Sequence, residues 1–460
     1  MKIVNNINQN IFREYDIRGI YETDLNEDVS YTLGRSIGSY IRQMGEVKTI
    51  IGHDNRESYK ILYPALLKGI TDSGVDVINL NMVTTPMYYF ARKHMNINTG
   101  IMLTASHNPK DYNGYKIAFN PISNAYGKYI YDFRDYTNNL EFVKGNGTVK
   151  EYDIFDEYLK EIRKNIKIDK KIRIGIDCGN GTGSLYIKKI LDEVGNIEYY
   201  PLYCESDSNF PNHIPDPSVE SNMEDLKKLV QKEKLDLGIG IDGDADRVGI
   251  VLENGKYVSA DMYMIIIFRN IVNKMKNKKG LFDVKCSKAL IDELNKLGIE
   301  PCMNRTGNSY QALKMHEGNF DFGGEFSGHV FFSDKWIGTD DGIYAGLRLI
   351  EILSQTDKKV SELLDGINKY YSTEEIKFNA GDDIKFDIVK KVVEYARKKG
   401  YNLNTIDGVR VEFDNGFALV RASNTGPNIT ARFEANNKND LEKYKNEFED
   451  IVNKYIGEAC

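Results

Sequence analysis

The sequence is poor in the residues that build metal-thiolate and disulfide proteins. It has five cysteines and six histidines in 460 residues, with a single tryptophan and ten prolines. The cysteines are Cys178, Cys204, Cys286, Cys302 and Cys460. They are odd in number and widely spaced, and no Cys-x-x-Cys occurs. They therefore read as reduced thiols rather than a disulfide frame or a thiolate zinc site. No His-x-x-x-His pair is present, which argues against zinc hydrolase chemistry. A basic excess is also missing: 61 Lys and Arg stand against 68 Asp and Glu, a formal charge of −7. Nucleic acid and anionic membranes reward a basic face, so neither is expected as a partner. No run of 18 apolar residues exists. The longest, Met262 to Phe268, is too short to span a bilayer. Met1 to Asn10 is polar and lacks an apolar signal core, so a cytoplasmic location is the expectation. What remains is a chain that is 41% hydrophobic and 28% charged, ordinary for a globular protein and long enough for several buried cores.

Three segments share one plan, an apolar strand ending in Asp: Thr49 to Asp54, Ile172 to Asp177 and Leu235 to Asp242. Helical patterns separate them; Val29, Leu33, Ile37 and Ile41 keep a four-residue spacing. Alternating strands and helices predict α/β domains with parallel or mixed sheets, whose sites lie at strand carboxyl ends. The C-terminal region differs. Val409 to Phe413 and Phe417 to Ala422 flank Asp414-Asn415-Gly416, a strong hairpin signal. Ile429 to Ala435 reads as a further strand, and Leu441, Tyr444, Phe448, Ile451 and Tyr455 make one helical stripe. The expected architecture is three tandem α/β domains with mixed sheets and a smaller C-terminal α+β domain. The expected divisions are 1–150, 151–255, 256–368 and 369–460.

Four loops carry chemistry. Thr104-Ala-Ser106-His107-Asn108-Pro109 follows an apolar run. Its Ser–His pair is placed to react, yet the same residues make an ordinary turn. Neither Gly-x-Ser-x-Gly nor a triad carboxylate accompanies it. Asp242-Gly-Asp244-Ala-Asp246-Arg247 is the second loop. In an extended loop its three carboxylates project to one side. At about 5 Å and an effective dielectric of about 20, each pair repels by roughly 3 kcal/mol. A divalent cation relieves this, and oxygen ligands select Mg²⁺ or Ca²⁺. Glu253 mimics the twelfth position of an EF-hand, but Arg247 stands where that loop needs Gly, and strands rather than helices flank it. Three protein oxygens leave coordination open, which asks for a phosphate partner. The third loop, Gly324-Glu325-Phe-Ser327-Gly328-His329, suits sugar hydroxyls and equally suits a plain Gly-rich turn. The fourth, Arg421-Ala-Ser423-Asn424-Thr425-Gly426 with Arg432 beyond it, fits a phosphate cradle or a charged surface pair.

In this order, and over essentially the whole chain, the four loops resemble the α-D-phosphohexomutase superfamily, most closely its phosphomannomutase/phosphoglucomutase branch. Phe12-Arg-Glu-Tyr15-Asp-Ile-Arg18-Gly19, Asn209 to Pro217, Phe282-Asp-Val-Lys285-Cys286 and Gly338-Thr-Asp-Asp-Gly342 are similar to motifs of that branch, and Phe326 favours it over the phosphoglucosamine branch. The resemblance implies that the four domains surround one cleft. The first domain would supply the phosphoserine loop, the second the metal loop, the third the sugar loop and the fourth the phosphate loop. It implies a mutase that interconverts hexose 1- and 6-phosphates of mannose or glucose through a phosphoserine enzyme and a hexose 1,6-bisphosphate. Phosphoglucosamine mutase and a phosphoserine-based sugar phosphatase are the alternatives. Ser106, Asp242, Asp244 and Asp246 would hold Mg²⁺. Ser106, Lys116, His329, Arg247 and Arg18 would serve catalysis. Tyr15, Lys285, Glu325, Ser327, His329, Arg421, Ser423, Asn424, Thr425 and Arg432 would bind substrate. Lys116 and His329 are the candidate general bases, with cationic surroundings expected to depress the Lys116 pKa. The expected partner is a phosphosugar alone, bound by a monomer or weak homodimer. The family often has His where this chain has Asn308, which can donate a hydrogen bond but cannot shuttle a proton. A hinge is expected at Lys369 to Ser372.

Overall fold

The computed structural model describes residues 1–424 and 426–459, in four sheets. In the first, Lys48–His53 runs between parallel neighbours Gly100–Leu103 and Asp76–Met82. Val149–Glu151 extends it in parallel, and Tyr112–Ala118 and Ile17–Ile20 complete it antiparallel. In the second, Ile172–Asp177 lies between parallel Ile197–Leu202 and Leu237–Ile241, with Val248–Leu252 and Tyr257–Val258 antiparallel at one edge. The third pairs Lys279–Asp283 in parallel with Glu300–Asn304 and Phe322–Gly324, and adds Val330–Phe332 antiparallel. The fourth is antiparallel throughout. Asn428–Ala435 pairs with Gly416–Ala422, Ile376–Asn379 and Tyr371–Ser372, and Val409–Phe413 and Leu403–Asn404 follow beyond Gly416–Ala422. The three mixed-sheet α/β domains and the C-terminal α+β domain are those expected.

The local causes are legible. The helix Glu27–Gln43 starts where the Asn26 side chain accepts from Val29 N, and it buries Val29, Leu33, Ile37 and Ile41, the apolar stripe of its 3.6-residue period. The apolar run from Met262 lies in the helix Ala260–Ile271 and fills the core. No helix among the described residues is long and apolar enough to cross a membrane. In the hairpin, Phe413 pairs directly with Gly416, so only Asp414 and Asn415 form the turn.

Packing joins the first three sheets in one core, and the fourth meets the third domain through a small cluster of Val284, Phe417 and Leu419. One core runs from Ile50 and Met102 through Ile174, Ile239 and Ile250 to Phe282 and Phe322. The helix Gly342–Ser354 follows the third sheet in sequence yet packs against Ile172–Asp177, Leu237–Ile241 and Val248–Leu252 of the second. The C-terminal sheet and its helices Gly381–Lys398 and Lys438–Ala459 enclose a separate core. The expected hinge includes Tyr371 and Ser372, but these pair with Ala435 and Glu434 and so belong to the fourth sheet.

Candidate active site

The loops after three parallel strands meet. Asp54 follows Lys48–His53, Ser106 follows Gly100–Leu103 and Asp242 follows Leu237–Ile241. Ser106 adopts a left-handed backbone, φ 50°, which is uncommon for a residue with a Cβ. A buried clamp holds it there. The fully buried Arg56 guanidinium donates to the carbonyls of Ser106 (2.8 Å), Asn108 (2.6 Å), Pro109 (2.6 Å) and Tyr112 (3.0 Å). Asp54 orients Arg56 through its Nε (3.2 Å) and accepts from Thr104 Oγ1 (2.7 Å), which in turn accepts from Ser106 N (2.9 Å). Arg56 and Asp54 are absent from the expected site. Their sequence signal is the Asp54-Asn55-Arg56 at a strand end.

Ser106 Oγ donates to Asp242 Oδ2 at 2.7 Å. Asp242, Asp244 and Asp246 are fully buried, and each offers an oxygen within 4.8 Å of the others. The loop is a turn rather than the extended segment expected: Ala245 has φ 66°, and Arg247 N bonds back to Asp242 Oδ1 (3.0 Å). Gly243 is required by proximity, because a Cβ there would sit 2.5 Å from the Ser106 carbonyl oxygen. Burial and the other two carboxylates push Asp242 well up, whereas Lys116 and His329 hold Asp246 well below the usual range. Among the described residues, Asp244 Oδ1 is buried without a partner. An all-oxygen donor set with an unsatisfied buried carboxylate oxygen fits a hard divalent cation. Glu253, the EF-hand mimic, instead accepts from Ser361 N and Oγ.

Lys116 lies in the opposite electrostatic setting from the one expected. Its Nζ donates to Asp244 Oδ2 (2.8 Å) and Asp246 Oδ2 (2.5 Å). Burial alone would lower its pKa, but these carboxylates raise it well above the ordinary value. His329 follows the same logic. Burial lowers it, but Asp246 and Glu325 outweigh burial and push it up to about 10. Its Nδ1 is 2.9 Å from Glu325 Oε2 and its Nε2 is 3.2 Å from Asp246 Oδ1. Both residues are cations that offset part of the acidic cluster's charge. His107, beside Ser106 Oγ at 3.2 Å, is driven well below its usual pKa by burial and by the Arg247 charge, so it is neutral near pH 7.

The metal and sugar loops are continuous. Arg247 and His329 form an antiparallel bridge, and Val248 N donates to Gly328 O (3.1 Å). Arg247 Nη1 lies 3.7 Å from Asp216 Oδ1, and Asp216 is held down to about 2, with the Arg247 charge and hydrogen bonds from Ser218 overcoming its burial. Asp216, like Arg56 and Asp54, is a site residue to which the sequence assigns no role. Glu325 accepts from Gly307 N (2.5 Å), and Ser327 Oγ is 3.1 Å from His329 Nδ1. Asn308 donates to Asp340 Oδ2 (3.2 Å), and burial and Asp246 raise Asp340 to about 7. Arg18 pairs with Asp16 (2.5 Å) and donates to Asn108 Oδ1 (2.7 Å). Tyr15 packs against Gly307, and burial raises its hydroxyl pKa.

The fourth sheet brings cations to the same place. Arg421 Nε donates to Asp407 Oδ2 (2.9 Å), and Asp407 also accepts from Thr306 N (3.1 Å). Arg432 donates to the Lys285 carbonyl and lies 4.1 Å over the Phe326 ring. Lys285 Nζ is 3.6 Å from Glu375. Among the described residues, Arg421 Nη2, Arg432 Nε and Asn424 Nδ2 are buried donors without acceptors, which fits an anion. Ser423 N donates to Asn428 O (2.8 Å). Thr425 lies outside the described residues.

A mixed-sheet α/β scaffold that sets a serine against a buried carboxylate triad, with an arginine-bearing loop from a separate domain, is the arrangement that the resemblance to the α-D-phosphohexomutase superfamily implies. Comparison with known proteins sharpens this. Four family models match in chain order: the phosphoglucomutase/phosphomannomutase alpha/beta/alpha domains I, II and III over residues 9–133, 156–255 and 259–370, and the C-terminal domain over 375–451. The chain belongs to the phosphoglucomutase/phosphomannomutase family and is an isomerase, an intramolecular phosphotransferase. It is 39% identical to a phosphomannomutase/phosphoglucomutase of Pseudomonas aeruginosa over 440 residues, covering 95% of this chain and 94% of that protein. It is 38% identical to a phosphoglucomutase of Neisseria gonorrhoeae over 450 residues, covering 97% of each. The crystal structure of a phosphoglucomutase/phosphomannomutase family protein from Burkholderia thailandensis superposes with a TM-score of 0.90 at 34% identity, covering 97% of this chain and 98% of that one.

Proposed function

We propose that Ser106 carries the transferred phosphoryl group and that the substrate is the 1- or 6-phosphate of mannose or glucose. The observation that carries this reading is the 2.7 Å contact of Ser106 Oγ with the buried carboxylate triad. A serine aimed at three acids has no use as a hydrolytic nucleophile, but its phosphate ester would share a cation with them. Asp242, Asp244 and Asp246, with the phosphate on Ser106, would hold Mg²⁺, which supplies charge neutralisation for a loose phosphoryl transition state. Lys116, Arg247 and Arg18 line that centre as cations. Glu325, Ser327 and His329 receive the sugar hydroxyls. Arg421, Ser423, Asn424, Thr425 and Arg432 grip the phosphate that is not reacting, aided by Lys285 and Tyr15. Once phosphoryl transfer makes the hexose 1,6-bisphosphate, the same cradle accepts its other end after it turns over. His329, flanked by Glu325 and Asp246, is placed to accept the hydroxyl proton once those carboxylates engage substrate and cation.

The domain division 1–150, 151–255, 256–368 and 369–460 assigns one of these loops to each unit. A phosphosugar as sole partner, a cytoplasmic location and a monomer or weak homodimer complete the reading; the acidic net charge disfavours nucleic-acid and anionic-membrane partners. The test is ³¹P NMR with Mg²⁺ and a trace of hexose 1,6-bisphosphate, using mannose, glucose and glucosamine 1-phosphates in parallel. Conversion of the mannose or glucose ester to its 6-phosphate without free phosphate is expected. Release of inorganic phosphate alone, or turnover of the glucosamine ester alone, would overturn the reading.

A further inference from the structure

Two of the cysteines that the sequence separates are brought together. Cys178 follows the strand Ile172–Asp177 and Cys204 follows its parallel neighbour Ile197–Leu202. Their sulfurs are 2.7 Å apart, and both are free thiols. The strand register holds them there: Asp177 pairs with Leu202, and Cys178 N donates to Leu202 O (3.2 Å). A disulfide needs an S–S distance of about 2.05 Å, so side-chain movement of under about 1 Å closes it. Cys178 is fully buried, whereas Cys204 is partly exposed.

We propose that Cys178 and Cys204 are a reversible disulfide site, formed by hydrogen peroxide, that staples the loops bracing the first domain against the metal loop. Cys204 attacks the peroxide oxygen; an S–O bond forms, the O–O bond breaks and water leaves. Cys178 sulfur then attacks the Cys204 sulfur; the S–S bond forms, the S–O bond breaks, and the thiol proton leaves with the second water. Two electrons pass from the two thiols to one peroxide. The order follows access, since Cys204 is the reachable sulfur, and burial raises the Cys178 thiol pKa well above its ordinary value.

The stapled segments have a definite job. Asn55, between Asp54 and Arg56, donates to Thr182 Oγ1 (3.0 Å), Asn180 O (2.8 Å) and Ser206 Oγ (2.9 Å). Asn180 and Thr182 come from the Cys178 loop, Ser206 from the Cys204 loop. Thr182 N donates to the carbonyl of Gly243, in the middle of the metal loop (2.8 Å). Because the bond closes on an arrangement already present, it preserves the site rather than distorting it.

The full-length protein, reduced and freed of reductant, is treated with hydrogen peroxide. Expected are a mass loss of about 2 Da, a non-reduced peptide linking Cys178 to Cys204, and a fall from five to three titratable thiols. The melting temperature should rise by about 5 °C, because the bond closes a 26-residue separation. Turnover should stay within about twofold, and dithiothreitol should reverse the mass and melting changes. Cys204→Ser, at the partly exposed position, should lose all of these responses while keeping its reduced-state melting temperature. Persistence of five thiols, a link between any other pair, or a loss of turnover beyond about tenfold on forming this bond would each overturn the proposal. The mass and thiol readouts do not depend on the mutase reading.

Discussion

At the scale of the residue, chemistry is set by what each charged group faces. Ser106 touches Asp242 and sits beside a neutral His107, so nothing nearby replaces its hydroxyl. Ser106→Ala should therefore lower kcat by at least about 10³-fold, with an unchanged circular dichroism spectrum; a coupled assay measures it. Arg421 needs its planar fork, one edge on Asp407 and Nη2 directed elsewhere. Arg421→Lys keeps the charge opposite Asp407 but loses the second donor. The expected result is a KM rise of about tenfold or more with little change in melting temperature. Lys116 shows how two neighbours set a residue's chemistry. Its expected cationic setting would have made it a base, but Asp244 and Asp246 make it a firm ammonium.

At the scale of the element, the loops are held by buried arginines that bond carbonyl groups. Arg56 satisfies four carbonyls in the Ser106 loop while paired with Asp54. Arg56→Ala leaves these groups and a buried carboxylate unpaired, at about 3–5 kcal/mol. A lower denaturation midpoint and faster proteolysis between Ser106 and Tyr112 are the expected readouts. Arg410 does the equivalent between domains. It is fully buried, donates to the carbonyls of Val284 (2.6 Å) and Cys286 (2.7 Å), and stacks 3.7 Å from the Phe417 ring. Glu434 adds a bond from Lys288 N (2.7 Å). Since the C-terminal core is separate, Arg410→Ala should loosen its docking without unfolding it. Small-angle scattering should show a larger radius of gyration, and KM should rise several-fold because Arg421 and Arg432 ride on that domain.

At the scale of the whole molecule, the site exists only as a junction. The first sheet delivers Ser106 and Lys116, the second the three aspartates, the third Glu325 and His329, and the fourth the arginines. Three buried carboxylates store repulsion that a divalent cation relieves. Mg²⁺ at about 100 times its Kd should thus stabilise the fold by about 2.7 kcal/mol, seen as a higher melting temperature. EDTA should reverse that shift and abolish turnover, with recovery on adding Mg²⁺.

Much of this was written in the order of residues. Apolar strand-length runs, a hairpin turn and helical stripes of period 3.6 identified the elements, because burying an apolar face demands such patterns. The Asp-x-Asp-x-Asp and Arg-Ala-Ser-Asn loops declared a cation and an anion, because clustered like charges need a counter-charge. Long-range proximity was not written there. That Arg56 clamps the Ser106 loop, that acids rather than cations surround Lys116, and that Cys178 meets Cys204 are consequences of sheet register and of loops from separate domains packing together. Spacing along the chain carries no information about such contacts. The sequence by itself determined the kinds of domain, the family's loops and the charges they require. Only the tertiary structure decided which charge faces which, because pKa, hydrogen bonding and nucleophile placement depend on distances across the fold.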